Sequence, residues 1–260
     1  MCLLIFAFKA HPTYKLILAA NRDEYYDRPT ASAGFWDEAP YLLAGKDLRA
    51  GGTWFGITKS GKMAAITNYR DPASIKKSAP SRGEIVSHYL LGSDGPDAYL
   101  KKLSKKADAY NGFNLILGDR ERLIWYSNRN GEPRNLSPGI YGLSNHLLDT
   151  PWPKVSRCKD ALSNQISGGK EPSHEALFRI LRDRTTPDDD RLPSTGVSLE
   201  WERILSPVFI ESPDYGTRSS TLLFIDHHDQ VSFFERTSSP RSDVVKTVDY
   251  IFDLEPSNVS

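Results

Sequence analysis

Residues 2–29 read CLLIFAFKAHPTYKLILAANRDEYYDRP, two apolar runs separated by His11-Pro12-Thr13-Tyr14. Each run is short and lacks clear polar alternation, which predicts strands buried on both faces and joined into a hairpin by the proline-bearing turn. A strand covered on both faces needs a layered fold in which other elements sandwich its sheet. The second run ends in Asn21-Arg22-Asp23-Glu24. Antiparallel pairing brings that polar cluster back to the start of the first run, beside Cys2.

The same signals recur outward along the chain. Residues 51–69, GGTWFGITKSGKMAAITNY, read as a second hairpin with its tip at 59–62. Ser81 and Glu84 have the spacing of a capping box ahead of Ile85, Val86, Tyr89 and Leu90, with Gly92 as a stop. A second helix is expected over 97–110, with Leu100, Leu103 and Ala107 on one face. FNLILGDRERLIWYSN (113–128) reads as a hairpin and GIYGLSN (139–145) as another strand. Helices are expected over 154–166 and 173–183, a solvated loop at PDDDRLP (187–193), and a closing hairpin over 217–237. Strands, helices, strands, helices and strands define an α+β protein. Two sheets packed face to face with helices outside, a four-layer αββα sandwich, account for such apolar strands. With 260 residues and no low-complexity linker, a single domain over 1–260 is expected.

Composition narrows the function. The 33 basic residues balance 33 acidic ones, which argues against nucleic acid as a partner. Two cysteines are too few for a disulfide framework and suit a reducing compartment. No apolar run approaches the ~20 residues of a membrane span. The N-terminal run lacks the basic residues that open a signal peptide. A soluble cytoplasmic protein is expected.

Several motifs have plain structural explanations. GITKSGKM approaches the phosphate-loop pattern, but Met63 stands where the magnesium-binding hydroxyl belongs, and a strand rather than a helix follows. Asp226-His227-His228-Asp229 resembles a metal cluster, yet adjacent side chains on extended backbone diverge, so a hairpin tip is expected and no metal site. Cys158 falls on an apolar helix stripe and is expected in the core. Cys2 is different. If the initiator methionine is removed, Cys2 carries a free α-amine with a reference pKa of ~7.7–8.0, able to act as a base beside its own thiol. A neighbouring guanidinium would favour the thiolate. The other reading of Cys2 is a small apolar residue that happens to begin a strand.

MCLLIFAF, LILAANRDEYYDRP, GGTWFGIT, AAITNYR, YNGFNLILGD, YGLSNHLLDTPWPKV and YGTRSST, in order over residues 1 to about 237, together resemble the NRDE family, also called the transport and Golgi organisation protein 2 family. That family is linked to Golgi organisation, to lipid and acyl-CoA metabolism and to haem mobilisation. More distantly, the arrangement is similar to the cysteine branch of the N-terminal nucleophile hydrolases, the penicillin V acylase and bile salt hydrolase group. The resemblance implies the four-layer fold and cleavage of non-peptide amide bonds. It implies Cys2 as nucleophile, with Arg22, Asp23, Asn68, Asn145 and Arg218 as the catalytic set. Asn21, Glu24, Trp54 and Tyr69, in the same motifs, are the expected substrate contacts. In the acylases the arginine and aspartate are separated by two residues, whereas Arg22 and Asp23 are adjacent. Adjacent strand residues face opposite ways, so either Arg22 faces the thiol or a shifted register puts Asn21 and Glu24 in those places.

Two functions follow as expectations. One is an amidohydrolase or thioesterase for a small acylated substrate, needing no cofactor. The other is a non-catalytic carrier of haem or an acyl-CoA or other lipid, with haem as a bound ligand and Trp36, Trp54, Trp125, Trp152 and Trp201 available to line its site.

Overall fold

The computed structural model describes residues 3–239 and 242–256. In chain order the elements are β1 (Leu3–Phe8), β2 (Tyr14–Tyr25), β3 (Thr30–Trp36), β4 (Ala39–Asp47), β5 (Phe55–Thr58), β6 (Met63–Asn68), α1 (Gly83–Leu91), α2 (Pro96–Ser104), β7 (Phe113–Gly118), β8 (Leu123–Ser127), β9 (Arg134–Asn135), β10 (Gly139–Leu143), α3 (Pro153–Ile166), α4 (His174–Leu181), α5 (Leu199–Leu205), β11 (Tyr215–Asp226), β12 (Gln230–Ser239) and β13 (Ser242–Asp253). One sheet has the order β10-β1-β2-β11-β12-β13; the other runs β3 to β9 in sequence. Every pairing is antiparallel.

The apolar hairpin explains the layering. In β1 and β2, Leu3, Ile5, Ala7, Ile17 and Ala19 pack against α3 and α4 through Val155, Cys158, Leu162, Leu177 and Leu181. The alternate residues Leu4, Phe6, Phe8, Leu16, Leu18 and Ala20 join the larger core shared with the second sheet. Each fully buried large aliphatic or aromatic side chain contributes about 1.5–3 kcal/mol, so a strand buried on both sides anchors both layers. Phe55 of β5 stacks on Phe233 of β12 across the sheet interface, with ring centroids 5.8 Å apart. On the outer side of the second sheet, α1 packs on β4, β5 and β6. The result is the expected four-layer αββα sandwich.

Several local expectations shift. The capping box does not form, because α1 begins after Arg82 without a side-chain cap and the Glu84 carboxylate instead accepts from the Tyr110 hydroxyl at 2.6 Å. The helix expected over 97–110 ends at Ser104, and a separate 3-10 turn covers Ala107–Ala109. A third strand, β13, extends the C-terminal hairpin, and β3, β4 and α5 add elements that the sequence reading left unassigned. The phosphate-loop near miss is a hairpin turn between β5 and β6, with Gly61 at a φ of 89° that favours glycine. At the Asp226–Asp229 turn, Asp226 accepts from the backbone of His228 and Gln230 while Asp229 pairs with Lys15 and Arg120. Among the described residues no group of three or more metal-ligating side chains converges, and no helix is long and apolar enough to cross a membrane.

Candidate functional site

The polar end of β2 lies between two strands. Asn21 pairs with Leu3 of β1 on one side, and Asn21, Arg22, Asp23 and Glu24 pair with Ser220, Ser219, Thr217 and Gly216 of β11 on the other. The β11 register skips Arg218, which bulges out. Alternation then divides the four residues between two faces. Asn21 turns toward the helices, where its Nδ2 donates to Leu181 O (2.8 Å) and Val208 O (2.9 Å) and its Oδ1 accepts from Ser220 Oγ (2.7 Å). Asp23 lies on the same face and accepts from Thr217 Oγ1 at 2.6 Å; its buried Oδ2 has no partner among the described residues. Neither Asn21 nor Asp23 lines the cleft described below. Cys2 lies outside the described residues.

Arg22 and Glu24 face the second sheet. The Arg22 guanidinium is only 4% exposed, sits 4.2 Å above the Trp54 ring and approaches Glu24 Oε2 at 4.0 Å. Its Nη1 has no hydrogen-bond partner among the described residues. Burial lowers the Arg22 pKa from its ordinary value, opposed in part by Glu24 and reinforced by Arg218. Beside it, Arg28 holds Asp47 through Nε and Nη2 at 2.8 and 2.7 Å. Burial alone would raise the Asp47 carboxyl, but Arg28 and the backbone of Ala50 and Arg49 outweigh it and hold it low. Arg22, Glu24, Arg28, Asp47 and Trp54 line a polar cleft of about 340 Å³. One wall is the start of α1, which lies against the 51–53 loop so tightly that a Cβ on Gly52 would come within 2.5 Å of the Gly83 carbonyl carbon.

A second cleft of about 330 Å³ shares Asn68, Arg82 and Asn111 with the first and adds, among others, Tyr69, Arg70, Asp71, Ile75, Asn145, Val197, Leu205 and Tyr215. Asn68 therefore sits between a charged compartment and a more apolar one. Asn145 is brought to it from the end of β10: its Nδ2 donates to Asn68 O at 3.0 Å. Thr67 Oγ1 donates to Ser144 O at 2.8 Å, and Asn114 Nδ2 donates to His146 O at 2.9 Å, tying this segment to the second sheet. The Tyr69 hydroxyl meets His146 Nε2 at 2.9 Å, while His146 Nδ1 meets Thr150 Oγ1 at 2.9 Å. Burial lowers the His146 pKa from its ordinary value.

The fold thus gathers Arg22, Glu24, Trp54, Asn68, Tyr69 and Asn145 around one bipartite cleft. Arg218 stands apart: its Nη1 donates to the carbonyls of Tyr25 (2.7 Å) and Arg28 (3.0 Å), clipping the segment that follows β2. Sequence reasoning missed Arg70, Glu202 and His146. Arg70 lies two residues after Asn68 and His146 directly follows Asn145, but nothing in the sequence joins position 202 to either.

Residues 1–240 match the family described as Transport and Golgi organisation 2. The chain belongs to the Transport and Golgi organisation 2 family. Its relatives include the Transport and Golgi organization protein 2 homolog of Bos taurus, 38% identical over 91% of this chain and 93% of the relative. The Homo sapiens homolog is also 38% identical over the same shares, and the Drosophila melanogaster protein is 31% identical over 91% of this chain and 92% of its own length. Among solved structures, the mutant C2A of the conjugated bile acid hydrolase from Clostridium perfringens superposes with a TM-score of 0.52 at 8% identity, covering 96% of this chain and 92% of that one. At that identity the likeness shows the fold, which this family member shares with the N-terminal nucleophile hydrolases.

Proposed function

We propose that this family member is an N-terminal nucleophile-type cysteine hydrolase that cleaves an amide or thioester of a small acylated substrate, with Cys2 as nucleophile after removal of Met1. The observation that carries the reading is Arg22, a buried guanidinium on the cleft-facing side of β2 whose Nη1 has no partner among the described residues. The first described residue of β1, Leu3, pairs with Asn21, the residue next to Arg22. A cation beside a cysteine favours thiolate over thiol. In the proposed reaction the thiol proton passes to the α-amine and the sulfur bonds to the substrate carbonyl. The carbon–nitrogen or carbon–sulfur bond then breaks as the leaving group takes that proton. Water attacks the resulting thioester and releases the acyl group as an acid. Asn145 has one Nδ2–H beyond the one given to Asn68 O, and with the Asn68 side chain it would stabilise the oxyanion, the term usually largest in acyl transfer.

Haem fits the described lining poorly. Both nitrogens of His146 are engaged, the Tyr69 hydroxyl is on one of them, and the compartment around Arg22 is charged. An acyl substrate suits a cleft with one polar and one apolar end better.

Intact-mass analysis before and after exposure to a p-nitrophenyl ester tests the reading. Loss of Met1, a single acyl adduct on Cys2, and no adduct in Cys2→Ala are expected. Retained Met1, or equal labelling of Cys2→Ala, would overturn it. A haem-induced Soret band lost in Cys2→Ala, with no acylation of the wild type, would favour the carrier reading instead.

A further inference from the structure

Among the residues that sequence reasoning missed, Arg70 makes an unusual set of contacts. It follows β6 by two residues, and its backbone N–H donates to Asn145 O at 2.7 Å. Its Nη2 reaches the Asn145 side-chain Oδ1 at 3.4 Å, its Nη1 pairs with Glu202 Oε2 at 2.9 Å, and the guanidinium lies 5.1 Å from the Trp152 ring centroid. Glu202, on α5 and 4% exposed, uses its other oxygen to accept from Thr195 N (2.8 Å) and Thr195 Oγ1 (2.6 Å). Both partners of this ion pair are therefore held by groups from separate parts of the chain.

A carboxamide can serve as an oxyanion donor only if its nitrogen end faces the substrate, and its two ends are nearly the same shape. A cation breaks that near-symmetry, because it attracts only the oxygen end. We infer that Arg70 is a positioning residue. Lining the second cleft together with Asn68 and Asn145, and with Ser144 Oγ at 3.4 Å from the same Oδ1, it fixes the Asn145 carboxamide with Oδ1 toward itself and Nδ2 toward Asn68, and Glu202 in turn fixes Arg70. Drawing density toward Oδ1 also makes the remaining Nδ2–H a better donor. The orientation stands on the geometry alone; its catalytic consequence rests on the reading of Asn145 as an oxyanion donor.

The decisive measurement does not need activity. In ¹⁵N-labelled protein, the Asn145 side-chain amide pair is identified by its disappearance in Asn145→Asp. In Arg70→Met this pair is expected to shift and to exchange with solvent at least tenfold faster, while the Asn114 pair stays in place. Arg70→Lys keeps a point charge without the fork and is expected to fall between, and Glu202→Gln to follow Arg70→Met in weaker form. These two milder variants decide the question if Arg70→Met does not fold. An unmoved Asn145 pair in the folded variants overturns the proposal. The second measurement is the rate of Cys2 acylation by p-nitrophenyl ester. Arg70→Met is expected to slow it about tenfold or more, and Arg70→Met with Asn145→Ala to be no slower than Asn145→Ala alone, as residues acting through one another require. Additive losses would mean that Arg70 acts elsewhere and overturn the catalytic half. If wild-type protein is never acylated, the hydrolase reading fails, and the amide resonances still decide the role of Arg70.

Discussion

The two faces of the Asn21–Glu24 stretch differ in how their polar atoms are used. On the helix side, both N–H groups and the oxygen of the Asn21 side chain are accounted for by Leu181, Val208 and Ser220. On the side facing the second sheet, Arg22 is equally inaccessible but has one nitrogen with no partner among the described residues and rests on an aromatic ring. Through Asn21 one face holds α4 and the 206–210 segment to the sheet, although Asp23 Oδ2 on that face has no partner among the described residues; the other face sets a cation against the cleft. Four consecutive residues thus serve both the helix layer and the cleft because a strand sends alternate side chains in opposite directions.

Replacing Arg22 by methionine should break the comparison hardest. A buried cation with little compensation costs solvation, so Arg22→Met is expected to leave thermal stability unchanged or raised, while Cys2 acylation falls by about 100-fold or more, as expected when thiolate fraction and charge stabilisation are lost together. Stopped-flow labelling beside a melting curve reads both; a melting loss with normal labelling would reverse the assignment of this face. Asn21→Ala is the converse experiment. It strands two buried carbonyls and a serine hydroxyl, at about 1–3 kcal/mol for each unsatisfied group. Denaturant unfolding should show a loss of about 3 kcal/mol or more, with labelling unchanged in the fraction that remains folded.

The smallest effect is expected at Glu235, which faces the second sheet from β12 and accepts from Ala33 N at 2.7 Å. Burial raises its carboxyl pKa, although the Ala33 N–H, neighbouring hydroxyls and Arg22 oppose the shift. A carboxyl whose folded pKa lies above its unfolded value binds more protons in the native state, so stability falls as pH rises from the unfolded value, ~4.3, through the folded one. Glu235→Gln removes that loss. Its melting temperature should exceed wild type by a few degrees at neutral pH, with the gain vanishing below about pH 4. A gain constant with pH would show that packing rather than ionisation sets the difference.

The sequence disclosed most of the framework because its signals are local. β1, β2, β7 and β8 are apolar runs closed by turns, and α3 carries Val155, Cys158 and Leu162 at helical spacing. Residues 30–47 stayed unread because β3 is small and irregular, with register shifts against β4 and only partial burial. In β13 the inward residues Val248, Tyr250 and Phe252 are only partly covered, so the alternation is weak. Of the site, Arg22, Asn68 and Asn145 were legible through motif resemblance, and the face occupied by Arg22 was settled only by the β2–β11 register. Arg70 with Glu202 was not legible, since their pairing spans 132 positions and depends on where α5 lands.

The position of β1 also has a consequence for how the chain is made. Although it is the first described strand to leave the ribosome, it lies inside its sheet, bordered by β2 and by β10, whose residues begin at Gly139. β2 in turn waits for β11, which begins at Tyr215. At the usual 5–20 residues per second, β1 waits roughly 7–28 s for its second neighbour. During that interval the sheet stays incomplete on one side of β1, and it closes around that strand only after more than half of the protein has been synthesised.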